Sequence, residues 1–172
     1  MANWHMLTLV GRDRPGIVAQ VTRAIYEAGG NLGEASMVRL GGNFSIMMMV
    51  SGVSAPQLQA YLHPVVQSLD LRLHIDPIAG SLHQHQEPNV RVCLSGADRA
   101  GIVAELTGAL AEQGLNILSL ESDVGGDAAH PLYILCIQGY CDRPIEQLKQ
   151  AVSPLVARGM SLEIAPLETL VG

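Results

Sequence analysis

Aromatic side chains are nearly missing from this chain: they make up 3% of 172 residues, with one Trp and one Phe. A core built from such a sequence has to be aliphatic and methionine-rich, and the 48% apolar content supplies one. Cysteine is also scarce. Cys93, Cys136 and Cys141 are odd in number and lack metal-ligand spacing, so a disulfide framework and a zinc site are both disfavoured. They read as reduced interior thiols of a cytosolic protein. No apolar run approaches the ~20 residues that cross a bilayer, and the first residues lack the pattern of a signal peptide. These features place the chain in the cytoplasm, away from membranes. Positive charge is short as well: 10 Lys and Arg stand against 16 Asp and Glu, for a net charge of −6, with no basic cluster. Direct nucleic-acid binding needs a positive footprint that displaces counterions, so it is excluded as an expectation.

What the chain does have is one phrase written twice. Gly11-Arg-Asp-Arg-Pro-Gly16-Ile-Val-Ala19 returns 85 residues later as Gly96-Ala-Asp-Arg-Ala-Gly101-Ile-Val-Ala104. Thr22, Ala24, Glu27, Gly29 and Asn31 match Thr107, Ala109, Glu112, Gly114 and Asn116 at the same offset. A long period that occurs twice indicates a duplicated small domain, not a solenoid. Residues 1–80 and 89–172 are therefore read as two units, joined by a polar linker at 81–88. His83 and His85 alternate in that linker without further ligands nearby and read as solvated.

Each unit carries the same succession of patterns. Met6–Val10 is a short apolar strand, and Ile17, Val21, Ala24, Ile25 and Ala28 recur at helical spacing. Asp13 is placed to cap that helix, and Gly29-Gly30 stops it. Leu32–Leu40 and Phe44–Val50 are strands around a Gly41-Gly42-Asn43 turn, with Met47-Met48-Met49 expected to pack inside. A helix opens at Pro56, and Leu71, Leu73 and Ile75 alternate as a closing strand. In the second unit the strands are Val90–Ser95, Ile117–Val124, Leu132–Gln138 and Ser161–Ala165. The helices there are Ile102–Gln113 and the stretch from Pro144 to about Ala157. Gly125–Pro131 reads as a longer hairpin loop. The fold class is α+β: two ferredoxin-like βαββαβ domains, each an antiparallel four-stranded sheet with two helices on one face.

The repeated turn between first strand and first helix is where chemistry would sit. Free N–H groups at a helix start suit a small anion, and Gly16 and Gly101, lacking Cβ, permit close approach. Asn31 and Asn116 open the second strands and offer both donor and acceptor. An amino acid, with its carboxylate and ammonium, fits such groups. A purely structural role for the same residues, as caps, packing glycines and turn formers, is the competing reading. A phosphate loop is excluded because Ile17 and Val18 stand where Lys and Ser or Thr are required. No nucleophile elbow, zincin or dinucleotide fingerprint occurs. Glu34 and Glu121 are possible acids on the second strands, but His, Asp and Glu do not recur in the two copies as a catalytic pair, so no enzyme, no metal and no cofactor are expected.

Asp13-Arg14-Pro15-Gly16-Ile17-Val18 with Gly29-Gly30-Asn31-Leu32 resembles the amino-acid-binding ACT domain. Asp98-Arg99-Ala100-Gly101-Ile102-Val103 with Gly114-Leu115-Asn116-Ile117 resembles it again. The resemblance implies a ligand amino acid held where the first loop of one domain meets the second strand of another. It implicates Asp13, Gly16, Ile17 and Asn31, and likewise Asp98, Gly101, Ile102 and Asn116. Ala100 departs from the Pro that the motif usually carries. A stand-alone tandem pair further implies a regulator for which glycine is the favoured ligand. Its partner would be a protein, such as a DNA-binding transcriptional activator, and the chain would be a homo-oligomer. A ligand-free ACT scaffold is the alternative, and a small enzyme the remoter one.

Overall fold

The computed structural model describes residues 4–79, 86–127 and 130–167, and the chain divides into two compact units, Met1–Gln84 and His85–Gly172. Residues 80–85, most of the expected linker and both of its histidines, lie outside the described residues.

The first unit runs β1 (Trp4–Arg12), α1 (Ile17–Glu27), β2 (Asn31–Leu40), β3 (Asn43–Ser51), α2 (Ala55–Leu69) and β4 (Arg72–Ile78). Its sheet has the order β2-β3-β1-β4 with every neighbouring pair antiparallel. The second repeats this with β5 (Val90–Ala97), α3 (Ile102–Glu112), β6 (Asn116–Asp127), β7 (His130–Tyr140), α4 (Ile145–Ala157) and β8 (Ser161–Pro166), in the order β6-β7-β5-β8. Both units are thus ferredoxin-like.

Alternation along the strands decides which sheet face is covered. Leu7 and Leu9 of β1 with Ile46, Met48 and Val50 of β3 point to one side, where Val21, Ala24 and Ile25 of α1 and Leu58 and Leu62 of α2 cover them. The second core repeats this with Val92, Leu94, Leu135 and Ile137 under Leu106, Leu110, Leu148 and Val152. Each such fully buried aliphatic side chain is worth roughly 1.5–3 kcal/mol in transfer from water. Phe44 is the single aromatic side chain in the first core. Of the methionine run, Met48 and Met49 are buried, while Met47 is 47% exposed, so only two of the three pack inside as expected.

Three expectations are corrected. Asp13 does not cap α1. The cap positions are Gly16 and Gly101, at φ +86° and +87°, and neither helix has a side-chain cap. The chain enters each helix through a left-handed residue that only glycine adopts without strain, which leaves the aspartate a turn upstream. Second, the cysteines are not all reduced. Cys93 and Cys136 are directly opposed across β5 and β7, with Cα atoms 4.3 Å apart, and they form a disulfide. That is the short spacing of a directly facing antiparallel pair. Only Cys141 is free and buried. Third, the expected loop 125–131 is mostly ladder, because β6 and β7 stay in register as far as Asp127↔His130.

Candidate functional site

The loop between β1 and α1 is fixed from both sides. The Asp13 N–H donates to the Gly42 carbonyl at 3.1 Å, tying the loop to the β2–β3 turn. Register supplies the rest: Arg39 of β2 faces Phe44 of β3, and Gly11 of β1 faces Phe44 from the other side. Arg39 therefore stands at the loop end of the sheet, where its Nη2 pairs with Asp13 Oδ2 at 2.5 Å. The Asp13 side chain is 25% exposed and that of Arg39 69% exposed. Around this pair lies an open cavity of about 750 Å³ whose lining includes Asp13, Arg14, Gly16, Met37, Arg39 and Phe44. Its size falls inside the ~300–1,000 Å³ range of small-molecule sites.

The helix start contributes donors. In α1 the N–H groups of Ile17, Val18 and Ala19 have no backbone acceptor among the described residues, as the first turn of a helix requires. The Ile17 side chain itself is 2% exposed and packs in the core, so it can serve a ligand in the cavity only through its backbone. Ile102 is equally buried, and its N–H already donates to the Arg99 carbonyl at 3.2 Å.

Not every residue singled out by sequence comes to one place. Asn31 opens β2 opposite Ser51, whereas Arg39 sits near the other end of the same strand. Eight residues of strand separate them, about 26 Å at ~3.3 Å per residue. Asn116 likewise lies opposite Tyr140 and donates through Nδ2 to Gln86 Oε1 at 2.9 Å. Within a unit, loop and asparagine occupy opposite ends of the sheet.

The two loops also differ in charge partners. Arg99 is held by Glu105 of α3 at 2.8 Å, and Arg158 of α4 reaches the same carboxylate at 3.0 Å. The hydrogen bond from Arg99, with the charge of Arg158 beside it, holds the Glu105 carboxyl below the usual carboxylate range. Asp98 is exposed and forms no ion pair with a described residue. At the register position of Arg39 the second unit has Val124, facing Tyr133. Among the described residues no group of His, Cys, Asp and Glu could hold a metal ion, and no helix is long and apolar enough to cross a membrane.

Sequence reasoning missed Arg39, Met37 and Phe44. The signal was present but indirect. A hairpin turn at Gly41-Gly42 returns the chain to the β1–α1 end, so the residues flanking that turn are the ones near the loop.

Comparison with known proteins bears on the family and the fold. The family model of the ACT domain matches residues 5–76. The glycine cleavage system transcriptional repressor of Escherichia coli (strain K12) is 36% identical over 50 residues, 29% of this chain. That match spans 26% of the repressor's length, about a quarter. UPF0237 protein YjhC of Lactococcus lactis subsp. lactis is 31% identical over 83 residues, 46% of this chain and 95% of that protein. A crystal structure of an unknown protein from Galdieria sulphuraria superposes with a TM-score of 0.79 at 20% identity, covering 98% of this chain and 100% of that one. One of a provisionally assigned glycine cleavage system transcriptional repressor gives 0.72 at 21% identity, covering 98% and 99%. Both likenesses concern the fold along nearly the whole length of each chain.

Proposed function

From the chain's membership of the ACT domain family, we propose that it is a regulator that senses an amino acid at its strand-to-helix loops and passes the signal to a protein partner. The observation that carries this reading is the cavity over the β1–α1 loop, with unpaired N–H groups of a helix start on one side and the Asp13–Arg39 pair on the other. Backbone N–H groups and a guanidinium suit an α-carboxylate, and the Asp13 carboxylate suits an ammonium. The proposed ligand residues are Asp13, Gly16, Ile17 and Asn31, with Asp98, Gly101, Ile102 and Asn116 in the second unit. Ile17 and Ile102 enter through their backbone alone. Asn31 and Asn116 would reach a loop-bound ligand only from a different copy of the fold, such as another chain.

Glycine is the favoured ligand, by likeness to the glycine cleavage system repressors, and a DNA-binding activator is the favoured partner. A net charge of −6 supports action through protein and not on DNA directly. Self-association is part of the proposal. β2 is an edge strand of its sheet and carries exposed apolar side chains, Met37 at 50%, Val38 at 59% and Leu40 at 75%, and such an edge invites another strand. A cytoplasmic setting follows from the regulatory reading; the Cys93–Cys136 disulfide weighs against it, because disulfides are rare there. No catalytic role is proposed.

Thermal unfolding against a panel of amino acids at millimolar concentration tests the reading. A ligand at a hundred times its Kd adds ~2.7 kcal/mol to the native state. A shift with glycine or one close analogue is the expected outcome. No shift with any amino acid would leave a ligand-free ACT scaffold as the better account.

A further inference from the structure

The two copies of the loop have diverged at the positions that set their charge. Gln20, one turn into α1, corresponds to Glu105 in α3, and Arg39 corresponds to Val124. In the first unit the cavity is lined by two guanidiniums, Arg14 and Arg39, against one carboxylate, Asp13, a surplus of one positive charge. Arg39 is engaged by Asp13, while Arg14 makes no ion pair with any described residue. In the second unit the arginine equivalent to Arg14 is already satisfied: both Arg99 nitrogens reach the Glu105 carboxylate, at 2.8 and 3.3 Å. Arg158 closes over the same group from α4.

We infer that the chain binds one carboxylate ligand, at the first unit, and that Glu105 is a tethered carboxylate occupying the corresponding place in the second. The inference rests on the amino-acid reading above and narrows it to one site. A bidentate guanidinium–carboxylate pair is among the stronger contacts available to an exposed arginine, so an incoming carboxylate gains little by displacing Glu105. The neutral amide of Gln20 offers Arg14 no such partner, and on an otherwise acidic chain the first loop is a local positive spot. Val124 removes the second guanidinium from the other loop, and the Ile102 N–H is spent on the Arg99 carbonyl. The duplication has left the arginine of one loop open to a carboxylate from solution and paired that of the other within the chain.

The experiment is calorimetric titration of the full chain with glycine, and then with each other common amino acid. Amide-resolved NMR of the same titration supplies the location. The expected result is one ligand per chain, with shifts at Ile17, Val18, Ala19 and Arg39 and none at Val103 or Ala104. Gln20→Glu, which writes the second unit's carboxylate into the first, should weaken binding by roughly tenfold or more. Gln20 is exposed, so the variant keeps its fold, which an unchanged midpoint of thermal unfolding verifies. Two ligands per chain, shifts at both loops, or undiminished binding by Gln20→Glu would each overturn the one-site inference while leaving amino-acid sensing intact. Silence from every amino acid would overturn the sensing reading and this inference with it.

Discussion

At the scale of single residues, the two copies trade bulk across one contact. Gly30, just before β2, has no room for a Cβ: it would lie 2.9 Å from Val50 Cγ1 and 3.1 Å from the Ile25 carbonyl. In the second unit the corresponding pair is Leu115 and Gly139, and there a Cβ on the β7 glycine would meet the Asn116 carbonyl at 2.6 Å and Leu115 at 3.2 Å. Large and small have changed places, and in the second unit the Asn116 carbonyl closes the space over the glycine as well. Gly30→Ala should therefore destabilise the first unit by ~1–3 kcal/mol, and the loss in the Gly30→Ala, Val50→Ala double variant should be smaller than the sum of the two single losses. Denaturant melts of the single and double variants check this, and strictly additive losses would show that the two positions do not share the space. The same scale shows where sequence reading succeeded and stopped. Gly16 and Gly101 stood out from their repetition, and their positive φ gives a reason, yet the φ alone explains them without a ligand. Asp13 stands out for the same reason and reads in sequence as a cap, because sequence distance does not show that the helix begins at Ile17.

At the scale of elements, periodicity made the strands and helices legible, since a period of two or of 3.6 is imposed by the covered face. Pairing across elements was not legible. Arg39 meets Asp13 across 26 residues of chain, and Cys93 meets Cys136 only because β5 and β7 run antiparallel in one register. The α3–α4 contact is another case: Arg158 at the end of α4 joins the Arg99–Glu105 pair at the start of α3. Its pH dependence follows from the lowered Glu105 value. A carboxyl whose folded value lies below its unfolded one of 4.5 stabilises the protein above that pH, and the contribution is lost as pH falls through the folded value. Glu105→Gln should accordingly leave a protein whose second-unit stability declines less steeply on acidification below pH 4.5. The groups are exposed and screened, so the effect near neutrality is small. Melting temperatures of wild type and variant across the acid range provide the check. Parallel curves would mean that the network carries no linked proton.

At the scale of the whole molecule, the notable fact is duplication with unequal outcome: two equivalent folds, each with a core of its own, whose loop arginines differ, Arg99 being ion-paired and Arg14 not, among the described residues. Each unit carries a private reporter of unfolding. Trp4, the single tryptophan of the chain, lies on β1 of the first. Cys141, the free buried thiol, lies in the second, where its Sγ reaches the Gln113 carbonyl at 3.5 Å. Fluorescence thus reads the first unit, and thiol labelling reads the second. A ligand stabilises what it binds in its native form, by RT ln(1 + [L]/Kd), and leaves an uncoupled unit where it was. With the stabilising amino acid present, the fluorescence midpoint should rise by the equivalent of ~2.7 kcal/mol at a hundred times Kd, while the labelling midpoint stays fixed. Labelling is done without reductant, so that the Cys93–Cys136 disulfide stays closed and Cys141 alone reports. Equal rises in both midpoints would mean that the units melt as one body or that both loops bind, and calorimetric stoichiometry separates those cases. A rise confined to the thiol signal would place the ligand in the unit whose arginine is already paired, and would reverse the assignment of Glu105.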